Sequence, residues 1–264
     1  MAPAMNGPAP APLLAAEDLR KRFGGVQAVG GITFTLPPAA VLAVIGPNGA
    51  GKSTLLNLLS GVYRADAGRL RFAGTELGAL PAHRRARLGL ARTFQKIRLF
   101  RHLSVLENVL AGFHTQHRIP AWQYLLHGPA FHADRERCRQ AAAELLAFVG
   151  LLPRAAAEAG ALAYGEQRLL EIARALATRP RLLLLDEPAA GLNGAETEAL
   201  LARLATLRGR GLAMILVEHN MDLVTRIADH VLVMHYGQTL FAGSPAAMQA
   251  DPGVIAAYLG GELA

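Results

Sequence analysis

The chain has 264 residues, 52 % of them hydrophobic and 18 % charged, which is enough for a buried core and argues against disorder. Its formal net charge of +7 suits nucleic acid, an anionic membrane surface or an acidic partner, and does not choose among them. No apolar stretch approaches the ~18–20 residues of a membrane-spanning helix, and the single cysteine, Cys138, excludes an internal disulfide and suits a reducing compartment.

Residues 1–12 are rich in Pro and Ala and lack the basic start and apolar middle of a signal peptide, so they read as a loose tail. Leu19–Phe23 leads into a Gly24-Gly25 turn, and Val29–Leu36 then alternates apolar and polar residues as a half-buried strand does. Pro37-Pro38 ends it. The all-apolar run Ala39–Ile45 that follows is typical of a parallel strand covered on both faces. Gly46–Thr54 reads G-P-N-G-A-G-K-S-T and opens a helix through Leu59, and Gly68–Gly74 is a further short strand bounded by glycines. The opening third is therefore read as antiparallel strands abutting an α/β nucleotide-binding core. The basic run His83–Arg87 has no interleaved aromatics and is read as a solvated helix face in preference to a nucleic-acid stripe.

Residues 97–180 are expected to form a helical subdomain inserted into that core. Ser104–Phe113 is helical, with Ser104 as N-cap and Glu107 at the capping-box position. Ala133–Val149 is a longer helix ending at Gly150, and Thr115–His132 connects the two. His114, His117, His127 and His132 lie near Cys138, but their spacing lacks the ordered pairs on which structural zinc sites depend; surface histidines are the better reading. Trp122 reads as packing. Leu162–Gln167 opens the helix Arg168–Thr178. Beyond Pro180 the core resumes: strands Arg181–Leu185 and Leu212–Val217, a hairpin of Val231–Met234 and Thr239–Ala242, and a closing helix Asp251–Leu259 with Pro252 in its first turn.

The chemistry begins at Gly46–Thr54, where strand, Gly-rich loop and helix occur in the order that the pattern G-x-x-x-x-G-K-[ST] requires. Gly46, Gly49 and Gly51 let the backbone curl with its N–H groups turned inward, and Pro47, Asn48 and Ala50 complete the cradle. The helix adds the positive end of its dipole to the same anion. Lys52 would reach the β- and γ-phosphates and the Ser53 hydroxyl would ligate Mg²⁺, with Thr54 beside it. A plain left-handed turn would not call for Lys-Ser-Thr straight after its last glycine, so the chain is expected to hold a nucleoside triphosphate. Four leucines followed by Asp186-Glu187 form the expected partner of such a loop. Asp186 stands beside Mg²⁺ and Glu187 can accept a proton from an attacking water.

Leu162–Gln167 (L-A-Y-G-E-Q), taken in order with Gln95, Asp186-Glu187 and His219, resembles the ATP-binding subunits of ABC transporters, and the resemblance covers nearly the whole chain. It implies an α/β P-loop NTPase core of RecA-like, mostly parallel sheet, with an antiparallel β subdomain and an inserted helical subdomain. Residues 13–96 and 181–264 would form the core with its β subdomain, and 97–180 the helical part. It also implies that ATP and Mg²⁺ lie between two subunits, the phosphate loop of one facing Ala163, Tyr164, Gly165 and Glu166 of the other. Gln95 would contact Mg²⁺ or the attacking water, His219 would hold the γ-phosphate, Glu187 would be the general base, and Phe23 would stack on adenine.

Three positions depart from the common pattern. Ala163 stands where a serine is usual, which removes a hydrogen bond to a charged group worth roughly 1.5–3 kcal/mol. Tyr164 replaces a glycine, and Asn193 replaces an aspartate in the loop after Glu187. More narrowly, Thr93-Phe94-Gln95, Ile97–Phe100, the form of the 162–168 stretch, Asp186–Asn193, Glu218–Met221 and Ala257–Gly260 resemble the larger ATPase subunit of branched-chain amino acid importers, the LivG type. The partners then implied are two integral membrane permease subunits, a second ATP-binding subunit that is usually non-identical, and indirectly a solute-binding protein. The place implied is the cytoplasmic face of the inner membrane. Nucleic acid is not expected: soluble ABC ATPases that act on DNA or ribosomes generally join two ATPase units or carry long coiled coils. A small P-loop kinase would not need Leu162–Gln167 or His219, while another cargo or an exporter remains compatible with the same motifs.

Overall fold

A computed structural model describes residues 11–116 and 128–259, and His117, Trp122 and His127 lie outside them. Among the described residues ten strands form two sheets. The smaller is antiparallel and contains β1 (Leu14–Phe23), β2 (Val26–Leu36), β4 (Ala67–Phe72) and β5 (Thr75–Glu76) in the order β2-β1-β4-β5. The larger contains β3 (Val41–Ile45), β6 (Leu90–Arg92), β7 (Leu182–Asp186), β8 (Ala213–Val217), β9 (His230–His235) and β10 (Gln238–Gly243) in the order β10-β9-β3-β8-β7-β6. Its strands from β9 to β6 run parallel, and β10 closes one edge as an antiparallel hairpin with β9.

All five residues of β3, β7 and β8 are buried, as a sheet covered on both faces demands. Their side chains divide strictly by alternation. Leu42, Val44, Leu182, Leu184, Ile215 and Val217 face α1 (Lys52–Ser60) and the smaller sheet. Val41, Ala43, Ile45, Leu183, Leu185 and Leu216 face a second core shared with α6 (Gly194–Gly209) and α7 (Met221–Ile227). A third apolar cluster lies between α3 (Val105–Gly112), α4 (Pro129–Val149) and α5 (Tyr164–Ala177). Buried Cys138 belongs to it, and desolvation there raises its thiol pKa.

Several segments differ from their sequence reading. β1 starts at Leu14, and α4 starts at Pro129, where proline's fixed φ suits the first helical position. The short elements β6 and α8 (Pro245–Gln249) are too brief to show a period, α6 and α7 have no counterpart in the sequence reading, and the basic run forms α2 (Ala82–Arg87). The basic run is helical as expected, but not wholly solvated. Arg85 on α2 is only 3 % exposed, and it donates to the carbonyls of Leu58 (2.5 Å) and Leu59 (2.9 Å) at the end of α1 and to those of Leu77 and Leu80 (both 2.8 Å). A guanidinium offers five donors, enough to close a helix C-terminus that the chain would otherwise bury unpaired. α9 (Pro252–Leu259) ends the described chain, and Ser104 and Glu107 form the expected capping box of α3.

Candidate functional site

Parallel pairing places the carboxyl ends of β3, β6, β7 and β8 along one edge. Val44 and Asp186 both lie opposite Val217, and Leu184 lies opposite Arg92. The segments that leave these ends are Gly46–Thr54, Thr93–Gln95, Glu187 and Glu218-His219, so four stretches far apart in sequence converge where open α/β sheets bind ligands.

The loop Gly46–Gly51 is shaped by close backbone approach. At Gly46 (φ 145°) a Cβ would lie 2.1 Å from the Met234 carbonyl oxygen, and at Gly51 (φ 99°) one would lie 2.1 Å from that of Ala28. Pro47, Asn48 and Gly49 form the accessible rim, Ala50 is buried, and Ser53 is exposed on the first turn of α1. Thr54 is half-buried behind it. Lys52 folds back into the loop, where Nζ donates to the carbonyls of Gly46 (2.6 Å) and Pro47 (2.8 Å). Burial lowers its pKa, opposed by the nearby negative charges of Glu187 and Asp186.

Opposite the loop, Asp186 and Glu187 hold separate sets of partners. Asp186 Oδ2 accepts from Arg92 Nη2 at 2.9 Å, while Oδ1 is buried with no hydrogen-bond partner. An uncompensated carboxylate oxygen at such depth is costly, and it fits the hard oxygen chemistry of Mg²⁺. Glu187 has φ 49°, a strained conformation for a residue with a side chain. Its Oε2 accepts from Gln95 Nε2 at 3.0 Å, and its Oε1 meets His219 Nε2 at 3.1 Å. The structure therefore joins Gln95, Glu187 and His219 directly, with Lys52 close by.

Phe23, 43 % exposed at the end of β1, meets Tyr63 edge-to-face at 5.2 Å, and the Lys21 ammonium lies over its ring at 5.4 Å from the centroid. Ala163–Glu166 sit elsewhere. Ala163 caps α5 without any side-chain acceptor, and Glu166 Oε2 takes the Ala163 amide at 2.9 Å. Gly165 is buried against Glu196, where a Cβ would lie 2.5 Å from Oε1, and Tyr164 is 47 % exposed. Among the described residues no hydrogen bond, ion pair or ring contact joins 163–166 to the phosphate loop of the same chain. Asn193 caps α6, accepting the Glu196 amide at 2.9 Å, so a capping acceptor remains at that position.

Two supporting residues escaped the sequence reading. Arg92 also donates to Asn57 Oδ1 (2.6 Å) and Ser60 Oγ (2.9 Å), tying α1 to Asp186. Buried Glu218 accepts the amides of Ala189 (2.8 Å) and His219 (3.1 Å), holding the segments that carry Glu187 and His219; burial raises its pKa. A charged residue abutting a wholly apolar strand is the available signal for Glu218, whereas Arg92 lies within a strand of three residues that carries no such signal.

The family model for ABC transporters matches residues 29–190, and one for branched-chain amino acid ATP-binding cassette transporters matches 238–264. The chain is 44 % identical to the high-affinity branched-chain amino acid transport ATP-binding protein BraF of Pseudomonas aeruginosa and 43 % identical to LivG of Escherichia coli. Each alignment covers 94 % of this chain and 98 % of the relative. Among solved structures it is similar to a nucleotide-free ATP-binding cassette from an ABC transporter (TM-score 0.81, 30 % identity, 94 % and 98 % of the two chains). It is likewise similar to such a cassette in its ADP conformation (TM-score 0.82, 30 % identity, 94 % and 99 %). With the phosphate loop, the orphaned Asp186 oxygen and the Gln95–Glu187–His219 cluster on one sheet edge, these likenesses establish that the chain belongs to the ABC transporter family, as its ATP-binding cassette.

Proposed function

We propose that this cassette is the ATP-hydrolysing subunit of an importer for branched-chain amino acids, working as one half of an ATP-dependent dimer. The cargo follows from the names of BraF and LivG and from the match over residues 238–264. One observation carries the chemistry: Glu187, bracketed by Gln95 and His219, adjoins Asp186 and stands near Lys52.

In this reading Lys52 leaves the Gly46 and Pro47 carbonyls for the β- and γ-phosphates, and the loop amides and the α1 N-terminus hold the remaining charge. Ser53, Asp186 Oδ1 and Gln95 would hold Mg²⁺, which supplies charge neutralisation for the phosphates. Glu187 accepts the proton of the attacking water; before ATP binds, Gln95 and His219 fix its carboxylate, and with ATP bound His219 exchanges that contact for the γ-phosphate. Phe23 stacks on adenine with the exposed part of its ring, beside the Lys21 ammonium. The first-turn N–H groups of α5, facing no side-chain acceptor at Ala163, serve the nucleotide of the second ATPase. Moving a dimerisation equilibrium from 1:99 to 99:1 takes about 5.5 kcal/mol of differential binding, a fair demand on two shared triphosphates.

Residues 97–180 act as the helical subdomain and the rest as core. A largely apolar groove of about 860 Å³ runs between these parts, lined by Val62, Phe94, Arg98, Phe100, Gly112 and Arg174. Half-exposed Val62 and Phe100 give it the character of a docking site for the membrane permease subunits, and in this reading the chain works peripherally on the cytoplasmic face. The solute-binding protein acts only through those subunits.

The test is Glu187→Gln. With Mg-ATP this variant should persist as a nucleotide-bound dimer on gel filtration, and hydrolysis at the parental rate would refute the assignment of the base.

A further inference from the structure

A fully buried ion pair on α5 takes no part in the chemistry above. Arg168 is 0 % exposed and Glu171 1 %, one helical turn apart, with Nη1 3.1 Å from Oε2. Each also reaches out of the helix to the segment that carries Gln95. Arg168 donates to the carbonyls of Phe94 (2.8 Å) and Gln95 (3.1 Å). Glu171 Oε1 accepts the amides of Phe94 and Arg98, both at 3.3 Å. Two side chains of one helix thus hold four backbone groups flanking Gln95. On the other side the Tyr164 hydroxyl meets Arg168 Nη2 at 3.3 Å, and the Tyr164 ring packs on Gly191, where a Cβ would come within 2.9 Å of it. The path Gly191–Tyr164–Arg168–Gln95–Glu187 is continuous.

A buried ion pair is a poor way to stabilise a fold, because desolvation offsets most of its attraction, and its best-attested use is to enforce one register. Here the register is that of a short loop against a helix N-terminus. We propose that Arg168 and Glu171, steadied by Tyr164, are positioning residues: they lock the Gln95 segment to α5, so that a triphosphate engaging the start of α5 from a second subunit sets Gln95 and Glu187 at this subunit's own site. Tyr164, where a glycine is usual, is then a functional part of the strut. The proposal rests on the roles given above to Gln95 and Glu187.

The test compares Arg168→Lys, Glu171→Gln and Tyr164→Phe in the full chain, assembled with its membrane subunits and second ATPase in lipid vesicles. For Arg168→Lys and Glu171→Gln, ATP affinity measured without Mg²⁺ should stay within about two-fold of the parent, since both residues are buried away from the phosphate loop, while kcat for Mg-ATP falls about ten-fold or more at little-changed KM. Tyr164→Phe, at a half-exposed site, removes one hydroxyl and should lower kcat by about three-fold with no change in melting temperature. Parental kcat in all three variants would overturn the proposal. So would parallel losses of ATP affinity, kcat and melting temperature, the mark of a purely structural pair. A Glu187→Gln control separates the layers. If it is inactive while the three variants match the parent, only the strut is refuted; if it is fully active, the assignment of the base fails and the strut with it.

Discussion

Gln95 and Glu187 are 92 residues apart, and the Nε2 of the first donates to the Oε2 of the second at 3.0 Å. One residue leaves β6 and the other leaves β7, and the parallel pairing of those strands sets them side by side. His219 closes the cluster from β8. Each of the three is held by a different strand end, so the cluster disperses when any one of those ends moves.

His219→Ala removes the contact on Glu187 Oε1 without touching the phosphate loop. The expected result is a kcat lowered about 10²-fold, as when a single stabilising donor is deleted, with ATP affinity nearly unchanged. Steady-state hydrolysis together with ATP binding in the absence of Mg²⁺ checks both halves.

Gly46→Ala and Gly49→Ala should behave differently although both lie in the same loop. At Gly46 the new methyl would collide with the Met234 carbonyl, so ATP binding should be lost and stability fall by about 3 kcal/mol. At Gly49 (φ 79°) no atom lies within 4 Å, leaving only the left-handed backbone cost of about 1–2 kcal/mol. Chemical denaturation of the two variants side by side measures the contrast.

Lys52 gives a pH signature in the absence of nucleotide. Burial lowers its folded pKa below the ordinary lysine value, so the unfolded chain binds the proton more tightly. The burden on stability is therefore present below the folded pKa and is relieved as pH rises through it. Melting temperatures of the parent and of Lys52→Met, followed from neutral to alkaline pH, should show the parent gaining relative to the variant. The variant should bind no ATP at any pH.

Arg85→Met tests the buried member of the basic run. Four carbonyl oxygens lose their donor, two of them at the end of α1, and the loss should be about 3 kcal/mol. Arg84→Met, on the exposed side of the same helix, should stay within about 0.5 kcal/mol of the parent.

The sequence carried most of the architecture where the physics is local. Ala39–Ile45 and the leucine run before Asp186 announce strands covered on both faces because no polar residue interrupts them, and Ser104 with Glu107 announces the start of a helix. β6, at three residues, is too short to carry a period, yet it positions both Arg92 and Gln95. Arg85 could not be told from its neighbours, because a run of arginines reads alike whichever member turns inward.

By itself the sequence determined the Gly46–Thr54 loop, since its glycines, lysine and hydroxyls fall within nine consecutive residues and need only a strand before them and a helix after. Tertiary structure alone decided the partnerships: Arg92 on Asp186, Glu218 beneath the Ala189 and His219 amides, Arg168 and Glu171 around Gln95. Those contacts depend on strand order and helix packing, which bring together side chains whose spacing along the chain records nothing of their distance in space.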